Sequence, residues 1–446
     1  MDKIAADRSA PALLAFLLLV AFVCGGGGIG AALANLSVQL TALAVLAFRR
    51  ESAVRFSADA PCALRLLIIA TLALPLLQLV PLPESIWSAL PARDLVSGSR
   101  DLANGAGWAP FSVAPLRTLL AASALITPLA VLLAGWTLPR ERLIQCAWLV
   151  VVFGIVTVLM GAVQLGSGTE VGTLYGSRSP GKILLGTFAN RNSTGLFLVF
   201  GMALAALLPA PRPHPAIIAA RLAVCALLLL AIVLTQSRTA LVLALVPSVL
   251  GVLRGIEFVD GKAQRRATGR KAMLVLGSLG LLGAAAVAVV AAAPDRIAST
   301  LERFEARDDS RRFIWEDATY SAGRYWPLGA GTGTFDEIYQ IDESLENMTL
   351  RRAGRAHNDY IELTIEAGLP GIALAVMWLA LVGWLSWQAR RSSQRWVAWA
   401  GSAFLLCIAL QSVTDYPLRA QTILAFCGFA LLLLSRVASD RARART

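Results

Sequence analysis

The sequence predicts an all-α, polytopic membrane protein with about twelve transmembrane helices and a large periplasmic loop between the ninth and tenth. Three observations carry this. Of the 446 residues, 57% are hydrophobic and only 15% charged, too few charges to coat a soluble domain of that length. The apolar residues fall in repeated runs of roughly 20, enough to cross a bilayer, and lipid obliges each run to satisfy its own backbone as a helix. The Lys and Arg residues sit in short clusters between the runs. That placement is an orientation signal of a bacterial inner-membrane protein, so the formal net charge of +12 does not mark a nucleic-acid binder.

In chain order the runs cover 11–32, 34–48, 62–80, 117–138, 143–165, 192–209, 217–234, 239–254, 272–293, 371–387, 396–413 and 420–436. Lys3 and Arg8 precede the first, and Ala32-Leu33-Ala34 resembles a cleavage site. An uncleaved first span is expected, because the later spans orient best with it in place. The glycines Gly25 to Gly28 inside it suit close helix packing. With the N-terminus in the cytoplasm, 23 of the 40 cationic residues lie on the inner side. Nine of the remaining 17 belong to the 294–356 loop, which hardly counts toward orientation. Both termini are therefore expected in the cytoplasm. The chain divides into 1–293 (helices 1–9, with a periplasmic segment 81–116), 294–370 (a periplasmic loop ending in the catalytic segment) and 371–446 (helices 10–12 and a cytoplasmic tail). Trp87 and Trp108 suit 81–116 to the membrane interface. The six cysteines lie in or beside apolar runs with no CxxC pair, so neither a disulfide framework nor a zinc site is indicated.

The chemistry is expected where the long loop ends, at Arg355 to Gly371. His357 is one of two histidines; the other, His214, falls in an inner loop. A neutral imidazole takes a proton from a hydroxyl near neutral pH without a large pKa shift, although a lone interfacial histidine ordinarily just bonds a helix end. Arg191 stands where Asn190-Arg191-Asn192-Ser193 meets an apolar run, with Asn192 or Ser193 placed to cap a helix and leave Arg191 beside exposed N–H groups. Snorkelling to the headgroups is the competing use. Arg238 is bracketed between two apolar runs, a costly place for a guanidinium unless it meets an anion, and its planar fork suits two phosphate oxygens. Lys182, Arg117 and the Arg351-Arg352-Arg355 cluster add positive potential. Glu362 and Glu366, at i,i+4, are placed to orient the site or to pair with an arginine. The turn Gly329 to Gly333 lacks the Lys-Ser/Thr of a P-loop and reads as a tight turn. The acidic stretch from Asp336 to Glu346 and Asp308-Asp309 read as solvated charges with no metal-ligand spacing.

His357-Asn358, nine residues, then Gly368-Leu369-Pro370-Gly371 resembles the signature of the O-antigen ligase and O-antigen polymerase family, and the segments around Arg191 and Arg238 are similar to its arginine sites. The resemblance covers roughly 185–385. It implies a metal-independent glycosyltransferase of the helical GT-C type, without a cofactor, acting at the periplasmic face. The implied donor is an undecaprenyl-diphosphate-linked glycan. The implied acceptor is lipid A–core for a ligase, or a second lipid-linked glycan for a polymerase. On this basis His357 is the base, Arg191 and Arg238 hold the diphosphate, and Asn190, Asn358 and Glu366 support them. A lipid-linked glycan flippase or transporter would instead spread its charges along a path through the bundle. A purely structural assembly subunit leaves the arginines unexplained.

Overall fold

The computed structural model describes residues 9–103, 105, 107–176, 181–209, 215–260, 311–348, 350 and 352–443. The expected run 272–293, Asp308-Asp309, His214 and Arg351 lie outside them. The described chain is mostly helical, with almost no strand. Its first part comprises α1 (Ser9–Cys24), α2 (Ala32–Phe48), α3 (Arg50–Asp59), α4 (Cys62–Leu77), the short α5 (Glu84–Trp87) and α6 (Asp94–Leu102), α7 (Pro115–Ala124), α8 (Ile126–Gly135) and α9 (Arg140–Ser167). Then come α10 (Arg191–Leu207), α11 (Pro215–Leu234), α12 (Arg238–Leu243), α13 (Leu245–Asp260), α14 (Arg311–Arg324), α15 (Phe335–Asp342), α16 (Asp359–Ala389), α17 (Arg395–Gln411) and α18 (Gln421–Arg443). Seven described spans are long and apolar enough to cross a membrane, or eight if the bent pair α2–α3 is one span. Three further apolar helices, α4, α10 and α17, have only 16 or 17 residues, roughly 25 Å of rise against a hydrocarbon core of about 30 Å.

Backbone chemistry explains where expected runs are interrupted. The first does not continue to residue 32: α1 stops at Cys24 and the glycines form a 3₁₀ segment, with Gly28 at φ +64°. These glycines do serve close packing, since a Cβ on Gly26 would lie 2.1 Å from the Thr187 carbonyl oxygen. The run around 239–254 is split into α12 and α13, and α9 ends at Gly168 in the left-handed region. The segment 81–116 is closed by a two-residue antiparallel pair, β1 (Pro81–Leu82) with β2 (Ala109–Pro110). Here Trp87 does not face the interface as expected. It is buried, its Nε1 donating to the Gly107 carbonyl at 2.9 Å, whereas Trp108 is exposed.

The bundle has two chemically distinct ends. Ala189 N–H donates to the Gly26 carbonyl, so α10 starts where α1 finishes. At the far end of α10, Arg221 and Arg254 both donate to the Ala206 carbonyl, and Arg395 pairs with Glu257 at 2.5 Å. Above the first end, α14 and α15 pack over the start of α16 through a small separate core that includes Phe335, Ile338, Tyr339 and Ile365.

Candidate catalytic site

His357 immediately precedes Asn358, the N-cap of α16. The Asn358 side-chain oxygen accepts from the N–H groups of Tyr360 and Ile361. The cap fixes the helix start, and His357 turns into it at φ +53°, a left-handed conformation that costs a non-glycine residue about 1–3 kcal/mol. Contacts on both sides hold it there. Ala356 N–H donates to Glu362 Oε1 at 2.9 Å, and Trp315 Nε1 donates to the Ala356 carbonyl at 2.7 Å. Asp359 N–H donates to the Ser412 carbonyl at 2.8 Å, and Ser412 Oγ to Asp359 Oδ2 at 2.9 Å.

The loop between α17 and α18 brings the imidazole its neighbours. Asp415, almost fully buried, places Oδ1 3.5 Å from His357 Nδ1, and neither atom makes a hydrogen bond among the described residues. The Tyr416 ring lies 4.9 Å from the imidazole. Burial, reinforced by Asp415, pushes the Tyr416 phenol up to about 12, so it stays protonated. The nearby Asn190 side chain opposes that rise, a smaller effect than burial. Asn190 is itself the N-cap of α10, accepting from Asn192 N–H at 2.8 Å. Ser237, the N-cap of α12, donates from its hydroxyl to Asn192 Oδ1 at 2.8 Å. Two helix N-termini are thereby tied side by side, with Arg191 and Arg238 as their first residues. Thr239 Oγ1 and Thr414 Oγ1, 3.3 Å apart, link α12 to the Asp415 loop.

Behind His357 lies a buried ionic lattice. Arg355 donates to Glu362 Oε2 at 3.0 Å, and Arg419 reaches the same oxygen at 2.8 Å and Glu366 Oε2 at 3.1 Å. Arg419 Nε is 3.8 Å from Asp359 Oδ1. Burial alone would lower the Arg419 pKa, but Glu366, Glu362 and Asp359 outweigh it and raise it. This lattice anchors a break in α16 at Gly368 (φ +54°). The Gly329–Gly333 turn clamps the break: Ala330 and Gly331 N–H donate to the carbonyls of Ile365 and Glu366, and Leu369 N–H returns a bond to Pro327. Gln78 Nε2 also donates to the Glu366 carbonyl at 3.0 Å.

The structure therefore gathers the segments bearing His357, Arg191 and Arg238 at one end of the bundle. Several expectations change in detail. Asn190, not Asn192 or Ser193, caps α10, because the cap must precede the first helical residue. Of the two uses expected for Glu366, it takes the pairing with an arginine, Arg419, and there supports the break. Arg117 and Arg352 bind Asp336, Arg117 also binds Glu337, and Arg355 binds Glu362. Their charge is thus largely matched, and the acidic stretch that pairs with them is not simply solvated. Asp415, Tyr416 and Arg419 are absent from the sequence-based set. The signal for them was Asp-Tyr-Pro-Leu-Arg between two apolar runs, on the same side as His357. Residues 223–376 match the family model for O-antigen ligase. That interval contains Arg238 and His357 but neither Arg191 nor the Asp415 loop. No curated protein matches the chain.

Proposed function

We propose that this chain, whose residues 223–376 belong to the O-antigen ligase family, transfers a glycan en bloc from undecaprenyl diphosphate to an acceptor hydroxyl on the periplasmic face of a bacterial inner membrane. Lipid A–core is the acceptor on this reading. The observation that carries the proposal is the meeting of an imidazole, backed by a buried carboxylate, with two paired helix N-termini that each begin with arginine. With Nδ1 turned toward Asp415, His357 Nε2 is the nitrogen left for substrate. It takes the proton of the acceptor hydroxyl as the oxygen attacks the anomeric carbon. The bond from that carbon to the diphosphate breaks, and the electron pair leaves with the diphosphate. Arg191, Arg238 and the N–H groups at the starts of α10 and α12 offset the charge that develops there. Asp415 holds the imidazole tautomer and steadies the imidazolium, the role of the third member of a catalytic triad.

The test is glycan transfer by purified protein in liposomes, from a lipid-linked glycan donor. His357→Ala is expected to lower transfer roughly 100- to 10,000-fold, the usual worth of a positioned general base, with membrane insertion unchanged. Wild-type transfer by that variant would refute the assignment. Movement of labelled donor across the bilayer without a new glycosidic bond would favour the flippase reading instead.

A further inference from the structure

A cavity of about 1400 Å³ opens within the bundle beside this site. That exceeds the roughly 300–1,000 Å³ of pockets that take small ligands. Its walls are overwhelmingly apolar, including Leu72, Leu129, Leu250, Leu374, Trp378 and Leu406. Along α16 it runs from Gly371 to Ser386 below the break, roughly 20 Å at 1.5 Å per residue and longer than one leaflet of a ~30 Å hydrocarbon core. One end is polar, formed by Arg117, Thr332, Arg355, Asp359, Glu366 and Arg419. Asp359 and Ser412, both in the lining and joined by the Asp359 N–H to Ser412 carbonyl bond, lie two residues after His357 and three before Asp415, so the polar end is built on the segments that carry the proposed base.

No residue of α9, α10, α11 or α12 lines the cavity. On that side its first wall residue is Leu245, seven positions from Arg238 and about 10 Å further along the helix. A donor whose diphosphate sits at the starts of α10 and α12 thus has its tail beginning at a wall this cavity does not share. We infer that the cavity holds the hydrocarbon chains of the acceptor, an acylated glycolipid whose headgroup presents its hydroxyl to His357 through the polar end. The inference rests on the glycosyl-transfer reading above. The ion-paired side chains at that end offer hydrogen-bond partners to the hydroxyls of a sugar headgroup.

The full-length protein in phosphatidylcholine nanodiscs tests this with two photoreactive probes, lipid A bearing a diazirine on one acyl chain and undecaprenyl diphosphate bearing one on its terminal isoprene. The acyl probe is expected to cross-link α4 and α16 around Leu72 and Leu374 roughly tenfold above a diazirine phosphatidylcholine control, a preference of about 1.4 kcal/mol. Filling the cavity with Leu72→Trp and Leu374→Trp is expected to remove that excess. Labelling there by the polyprenyl probe, or by the acyl probe no more than by phosphatidylcholine, would overturn the inference. His357→Ala protein is expected to label like the parent. Full transfer by that variant would sink the base assignment while leaving the cavity's occupant standing, so the two failures are distinguishable.

Discussion

His357 and Asp415 are held 3.5 Å apart between Nδ1 and Oδ1, beyond the usual hydrogen-bond length, and catalytic contacts of this kind tighten as charge develops on the imidazole. The carboxylate is nearly inaccessible to water, so its negative charge is little screened at the imidazole. Asp415→Asn keeps the shape but removes that charge. Transfer is expected to fall roughly 100-fold or more, with Asp415→Glu recovering part of it, measured with the liposome assay on variants that insert normally. Arg191→Lys and Arg238→Lys are each expected to retain more activity than the alanine variants but less than wild type, because an ammonium is a point charge without the bidentate fork. The histidine and both arginines were legible in the sequence because each is expensive or rare beside apolar runs. Asp415 and Tyr416 were not, because their meaning depends on a loop-to-loop contact that no local pattern encodes.

The break in α16 is the element on which the site's geometry depends. Gly368 adopts φ +54°, and a Cβ there would lie 2.1 Å from the Pro327 carbonyl oxygen. Gly329, facing it, would meet the Ala367 nitrogen at 2.6 Å. Neither turn nor break leaves room for a side chain, so each fixes the other. Gly368→Ala is expected to cost at least about 1–3 kcal/mol and to reduce transfer, because the displaced α16 start carries His357, Glu362 and Glu366 with it. Gly323→Ala is the control: its Cβ meets nothing within 4 Å, and within α14 alanine is favoured over glycine by up to about 1 kcal/mol. Thermal unfolding in detergent, read beside transfer, separates the two. Gly-Leu-Pro-Gly and the glycine turn were each visible as punctuation. Their mutual contact was not, since roughly 35 residues separate them in the sequence and propensity acts only locally.

At the scale of the whole molecule, the two ends differ in what their charges do. At the site end, Arg117, Arg352, Arg355 and Arg419 are consumed in ion pairs with carboxylates. At the other, Arg221 and Arg254 donate to helix carbonyls and Arg49 to the Thr137 hydroxyl, while Arg395 pairs with Glu257 and Arg55 with Glu51, and α1 begins and α18 finishes there. An excess of cations in short connections belongs on the cytoplasmic side, so the termini and the α3 end are expected inside and the His357 end outside. Cysteine labelling decides it. In a chain whose six native cysteines are replaced by alanine, Leu345→Cys, on an exposed loop of the site end, is expected to react with a membrane-impermeant maleimide in intact spheroplasts. Ala58→Cys, exposed on α3, is expected to react only after permeabilisation. Equal labelling of the two before permeabilisation, or the reverse order, would remove the periplasmic donor and with it the glycan transfer proposed for His357. Glycan transfer at the periplasmic face, as proposed, requires the base, both arginines and the acceptor cavity to open on that same face.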